Sequence, residues 1–141
     1  MTDPLNEGMV HGFYDARISN DVSTILDVFH DDGRLELVGQ DMGVETFAKP
    51  DDAPDAFRRQ VERLVAIWDW KSIEVHDLLI SGEQAAVRYT LHAVFNPTGE
   101  AVETEIMDLI TVRDGRVVRI LQFVDTALVA ALSQRAQAGA S

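Results

Sequence analysis

Four strand-like segments follow one another in the second half of the chain, separated only by short turn signals. Ser81-Gly82 ends the first, Asn96-Pro97-Thr98-Gly99 the second, and Asp114-Gly115 the third. Asp-Gly between alternating apolar residues is a strong two-residue hairpin signal. The spacing predicts strands over Trp70 to Ile80, Ala85 to Phe95, Ala101 to Arg113 and Arg116 to Val124. Such closely joined strands pair antiparallel, because parallel pairing needs long crossovers.

The first half reads as helical. Thr2 or Asp3 is suited to cap a helix with Pro4 in its first turn. Leu5, Met9, Phe13 and Ala16 then recur at helical spacing. Ser19-Asn20-Asp21 breaks this helix and caps a second, whose stripe is Val22, Ile25, Leu26 and Phe29. His30-Asp31-Asp32-Gly33 ends it, and Leu35 to Val38 forms a short strand. A polar loop runs from Gly39 to about Asp52. Pro54 opens a third helix, with Phe57, Val61, Leu64, Val65 and Trp68 on one side. Asp125 caps a last helix from Thr126 to about Gln134. Helices first and a meander second predict a single α+β domain over residues 1–141, with its ordered core at about 4–134.

Composition narrows the partners. With 46% apolar residues in 141, the chain can bury one core. Its 24 acidic and 12 basic residues give a net charge of −12, which disfavours nucleic acid and anionic membranes. Cysteine is absent, removing disulfides and thiol chemistry. No apolar run approaches the roughly 20 residues of a membrane span. The first residues lack a basic, apolar leader pattern, so a cytoplasmic protein is expected. No phosphate loop, dinucleotide fingerprint or Ser-His-Asp order is present, so no cofactor is expected. His11, His30, His76 and His92 show no ligand spacing, and no metal site is expected.

Asp108 is the most informative polar residue. Thr104, Ile106, Asp108, Ile110 and Val112 share one strand face. A carboxylate on so apolar a face is disfavoured unless paired, and its pKa rises. Asp108 is either a pocket acid or base, or a structural partner of Arg88 across the hairpin. Arg88, Thr90 and His92 alternate onto one face of the preceding strand. Counting through the Asn96–Gly99 turn places Arg88 near Asp108. His92, in Leu-His-Ala-Val-Phe, is the candidate for proton transfer near neutral pH, or else a hydrogen-bonded rim histidine. Gln122 is a candidate to orient a carbonyl. Trp68, Trp70, Phe57, Phe47 and Met42 either line a pocket mouth or fill the core. Glu103 and Glu105 face away from Asp108.

Three segments carry a family resemblance: Phe13 to Leu37, Gly82 to Phe95, and Ile110 to Leu132 with its strand, Asp-Gly-Arg, strand, Asp and helix. In this order they resemble SnoaL-like, ketosteroid-isomerase-like members of the nuclear transport factor 2-like superfamily. The resemblance implies a curved antiparallel sheet wrapped by N-terminal helices into a cone. It implies a pocket for a small apolar or aromatic ligand between the sheet and the first and third helices, and a homodimer through the sheet's outer face. Asp108 aligns with the aspartic acid that donates to an oxyanion in steroid isomerases. The base position of those enzymes falls on Leu37 and their oxyanion tyrosine on Phe13. Tyr14 stands one residue off, about 100° around the helix. Arg88 matches the triad arginine of limonene-epoxide-hydrolase-like members, but the two triad aspartates fall on Thr90 and Gln122. Neither mechanism is complete here. Related cyclases and dehydratases use a His-Asp combination on these strands.

The function expected is a cofactor-independent isomerase, lyase or cyclase for a small apolar carbonyl compound. Asp108, His92 and Arg88 would be catalytic; Phe13, Tyr14, Phe57, Trp68, Thr90 and Gln122 would bind substrate. The alternative is a noncatalytic ligand-binding or dimeric interaction module.

Overall fold

The computed structural model describes residues 5–38 and 55–139. The expected Thr2 or Asp3 cap, Pro4, the Gly39–Asp52 loop with Met42 and Phe47, and the Pro54 helix opening lie outside them.

Within the described residues, Asn6 caps the first helix, α1 (Glu7–Ile18), by accepting from the Met9 amide at 3.0 Å. This satisfies one of the amide donors that a helix start leaves unpaired. Asn20, at φ +56°, turns the chain out of α1. Asp21 caps α2 (Val22–Asp27) through the Ser23 amide. This second helix is shorter than expected. Phe29 belongs to β1 (Phe29–Leu37), where its buried ring meets Phe13 and Phe57. The presumed stop signal, His30 to Gly33, lies inside that strand, where the pairing register shifts between Phe29 and Arg34.

The helix α3 (Ala56–Ile67) leads directly into β2 (Trp68–Ser81). Then follow β3 (Gln84–Phe95), β4 (Glu100–Arg113), β5 (Arg116–Phe123) and α4 (Thr126–Gly139). The Asp125 side chain accepts from the Leu128 amide at 3.1 Å, as a cap does. The helix it starts extends past the expected end at Gln134. Asp114 and Gly115 both have positive φ, +55° and +76°, the conformation a primed hairpin turn requires.

The sheet has five strands in the order β1-β5-β4-β3-β2. The meander β2 to β5 is antiparallel, and β1 adds in parallel at the β5 edge. Register shifts at Trp70/Ser72, Val75/Asp77 and Thr111/Val112 bend the sheet. Its concave face is set by one stripe. Ala85, Val87, Tyr89, Leu91, Ala93 and Phe95 are all buried. Exposing that stripe would cost about 25 cal/mol per Å² of apolar surface, so it decides which side of β3 turns inward. Helices α1 and α3 pack against this side, giving an α+β fold, a curved sheet wrapped by helices.

Candidate active site

A cavity of about 110 Å³ lies between the concave sheet face and the helices. Leu91 and Ile106 line it from the sheet, Phe13 from α1, and Phe57 and Val61 from α3. Trp68 and Trp70, at the start of β2, line it too. The volume is several times the roughly 10–15 Å³ that one water needs. It is of the scale of cavities of about 150 Å³ that take up benzene.

Asp108 lines this cavity and is 1% exposed. Its Oδ2 accepts from the hydroxyls of Tyr14 and Tyr89, each at 2.7 Å. Its Oδ1 accepts from Gln122 Nε2 at 3.0 Å. Gln122 stands opposite Asp108 in the β4–β5 register. A carboxylate offers about two acceptor positions on each oxygen. Among the described residues, the two tyrosines therefore fill Oδ2 and one position on Oδ1 remains.

Burial pushes the Asp108 carboxyl above its ordinary value, against the opposing effect of the three donors. Burial and the nearby Asp108 charge push both tyrosine hydroxyls well above theirs, so they stay protonated as donors. The rings are clamped. Tyr14 meets Phe13 at 4.9 Å and Tyr89 at 5.0 Å between ring centroids, edge to face.

The structure rearranges the expected site. Arg88 is not a neighbour of Asp108. Val87 stands opposite Asp108, and Arg88 stands opposite Met107. One residue of register reverses the face. Arg88 bonds Asp77 at 2.6 Å and also Glu105 on the outer side. His92 lies on that side too, its Nε2 3.9 Å from both Glu74 and Glu103. Thr90 hydrogen-bonds His76 at 2.7 Å there. None of the three lines the cavity. The outward placement of Glu105 agrees with the sequence reading.

Phe13, Phe57, Trp68 and Gln122 do line the cavity, as does Leu37. Tyr14, expected to bind substrate from about 100° around the helix, is not among the lining residues; it is 1% exposed and donates its hydroxyl to Asp108 behind the cavity wall. The helix seats Phe13 against the cavity and Tyr14 against the sheet, so both face inward.

Two residues were missed. Tyr89 is the hydroxyl-bearing member of the inward β3 stripe. Arg17 follows Tyr14 by one helical turn and also lines the cavity. The alternation of β3 carried the first signal, and the i, i+3 spacing on α1 carried the second. Among the described residues, no group of three or more His, Asp or Glu is placed to hold a metal ion. No helix among them is long and apolar enough to cross a membrane.

Comparison with solved structures finds the same fold at low identity. A nuclear transport factor 2-like protein from Burkholderia thailandensis aligns at TM-score 0.68 and 22% identity, covering 90% of this chain and 95% of that one. An epoxide hydrolase of the limonene-epoxide-hydrolase-like type from M. tuberculosis aligns at TM-score 0.66 and 17% identity, covering 93% and 90%. A Catenulispora acidiphila protein of ketosteroid isomerase-like fold, in complex with trimethylamine, aligns at 0.70 and 10% identity, covering 92% and 95%. Comparison with curated protein sequences returns no match. The family model of the SnoaL-like domain matches residues 10–120, from within α1 to within β5 and including Asp108, and the chain, whose fold is that of nuclear transport factor 2-like proteins, therefore belongs to the SnoaL-like family.

Proposed function

We propose that the protein is a cofactor-independent isomerase or lyase that moves a proton on a small apolar carbonyl compound. One observation carries this reading: among the described residues only Gln122 donates to Asp108 Oδ1, leaving it an acceptor position in an apolar cavity. Oδ1 takes a proton from the carbon next to the substrate carbonyl, and the C–H electron pair enters the enolate. Gln122 directs its second N–H toward the carbonyl oxygen. The proton then returns to another carbon, or a leaving group departs. A raised carboxyl pKa favours both halves of such a transfer, since a base poised nearer the working pH both accepts and releases. Tyr14 and Tyr89 position the carboxylate.

The test is α-proton exchange in D2O, followed by NMR for a panel of small cyclic ketones and enones. Wild type should exchange at least one member, and Asp108→Asn should slow that by about a hundredfold or more. No exchange above buffer across the panel, or an unaffected Asp108→Asn variant, would sink the proposal. A second reading is ligand binding without turnover. It rests on the three donors that already hold Asp108 and on the placement of His92 and Arg88 outside the cavity. Saturable ketone binding by wild type without exchange supports it.

Pairing of two copies through the outer sheet face belongs to the same proposal. Met107 and Phe123 stand opposite each other in register, 40% and 44% exposed.

A further inference from the structure

Arg17 is a buried cation in the same cavity, 8% exposed. Its guanidinium lies 4.6 Å from the Trp70 ring centroid. It donates from Nη1 to Asn20 Oδ1 at 2.9 Å, and from Nη2 to the carbonyls of Trp68 at 3.2 Å and Leu64 at 3.4 Å. These bonds latch the end of α1 to α3 and β2. They use three of the five N–H donors of a guanidinium. No carboxylate among the described residues touches it. Asp69, whose charge acts on it without contact, is engaged by Asn20 Nδ2 at 2.8 Å and Lys71 at 2.5 Å. Burial pulls the guanidinium down to about 10, so it stays charged at neutral pH.

We propose that Arg17 is an anion site within the cavity, and that the ligand carries a carboxylate or comparable anionic oxygen on an apolar or aromatic body. Two of its N–H donors have no acceptor among the described residues, and Arg17 lines a cavity whose walls are otherwise mostly apolar. A buried cation that touches no carboxylate among the described residues gains most from an incoming anion, because its own desolvation is already met on folding. The Trp70 ring covers one face of the guanidinium and leaves its edge for donation. Asp108 repels an acid from its own position, so the ligand is oriented: anion toward Arg17, uncharged portion toward Asp108. The inference concerns binding and does not depend on proton transfer at Asp108.

Benzoate and benzamide serve as probes, equal in shape and different in charge, with a single ring suited to the cavity. Calorimetric titration of wild type should show benzoate binding roughly ten- to hundredfold tighter than benzamide, the range expected of charge-assisted hydrogen bonds. Arg17→Met should erase that preference, and Arg17→Lys should keep part of it. Asp108→Asn should retain it, which separates this inference from the catalytic proposal. Loss of the latch can unfold Arg17→Met, so the wild-type Arg17 Nε–H resonance gives an independent readout: it should shift with benzoate and not with benzamide. Equal binding of the two probes by wild type, no benzoate binding, or a preference that survives in folded Arg17→Met overturns the inference.

Discussion

Asp108 couples the site to the pH dependence of stability. Its folded-state pKa is raised, so folding favours the protonated form. The stability it contributes is full below the ordinary carboxylate value of about 3.9 and is lost as pH rises through the raised value. Glu36 works the other way. Arg119 holds it below its ordinary value, and its contribution is lost as pH falls. Comparing wild type with Asp108→Asn cancels that common background. The variant should gain stability relative to wild type as pH rises above the ordinary carboxylate value of about 3.9, measured by urea unfolding at each pH. A constant difference would mean that Asp108 titrates normally. Tyr89→Phe removes one donor, should raise the Asp108 pKa further, and should cost about 1–3 kcal/mol at neutral pH. Asp108 was legible at this scale because an acid on an apolar strand face is conspicuous. Tyr89 was not, because a tyrosine in an apolar stripe looks like core until its hydroxyl has a partner. Arg88 and His92 misled because their chemistry suggested a site while the burial of their neighbours demanded the opposite face.

At the scale of elements, Asn20 is the joint between the helical layer and the sheet. Its side chain accepts from Arg17 Nη1 and the Trp70 amide, and donates to Ile18 O, Asp69 and Trp70 O. Its positive φ makes glycine the informative replacement, since glycine adopts that backbone without strain. Asn20→Gly should cost about 2 kcal/mol in denaturant unfolding by losing these bonds alone. An unchanged midpoint would show that water replaces them at no cost. The hairpin turn at Asp114-Gly115 was readable from two residues, because few other pairs tolerate two positive φ angles. The boundary between α2 and β1 was not. Phe29 fits a helical stripe by spacing, and only its packing against Phe13 and Phe57 assigns it to the strand.

At the scale of the molecule, the sheet separates two environments. Its inner face holds the cavity and the Asp108 network. Its outer face holds Arg88, His92, His76, Glu103 and Glu105, together with exposed Met107, Leu79 and Phe123. If that face pairs two copies, wild type should sediment as a dimer and Met107→Glu with Phe123→Glu as a monomer. A monomeric wild type at micromolar concentration would remove that part of the proposal. The α+β order was evident from the chain because helical and alternating patterns occupy separate halves. The parallel placement of β1 beside β5 was not, because nothing local in Phe29 to Leu37 names a partner more than eighty residues away.

The alternation of β3 has an evolutionary consequence. Odd-numbered positions from Ala85 to Phe95 look into the cavity side, and even-numbered ones look out. Random substitution at the even positions explores new surface charge and association while ligand choice is held fixed; substitution at the odd positions does the reverse. Two traits written on one twelve-residue strand can thus drift, or be selected in a library, almost independently. A single-residue insertion within the strand would exchange them at one stroke.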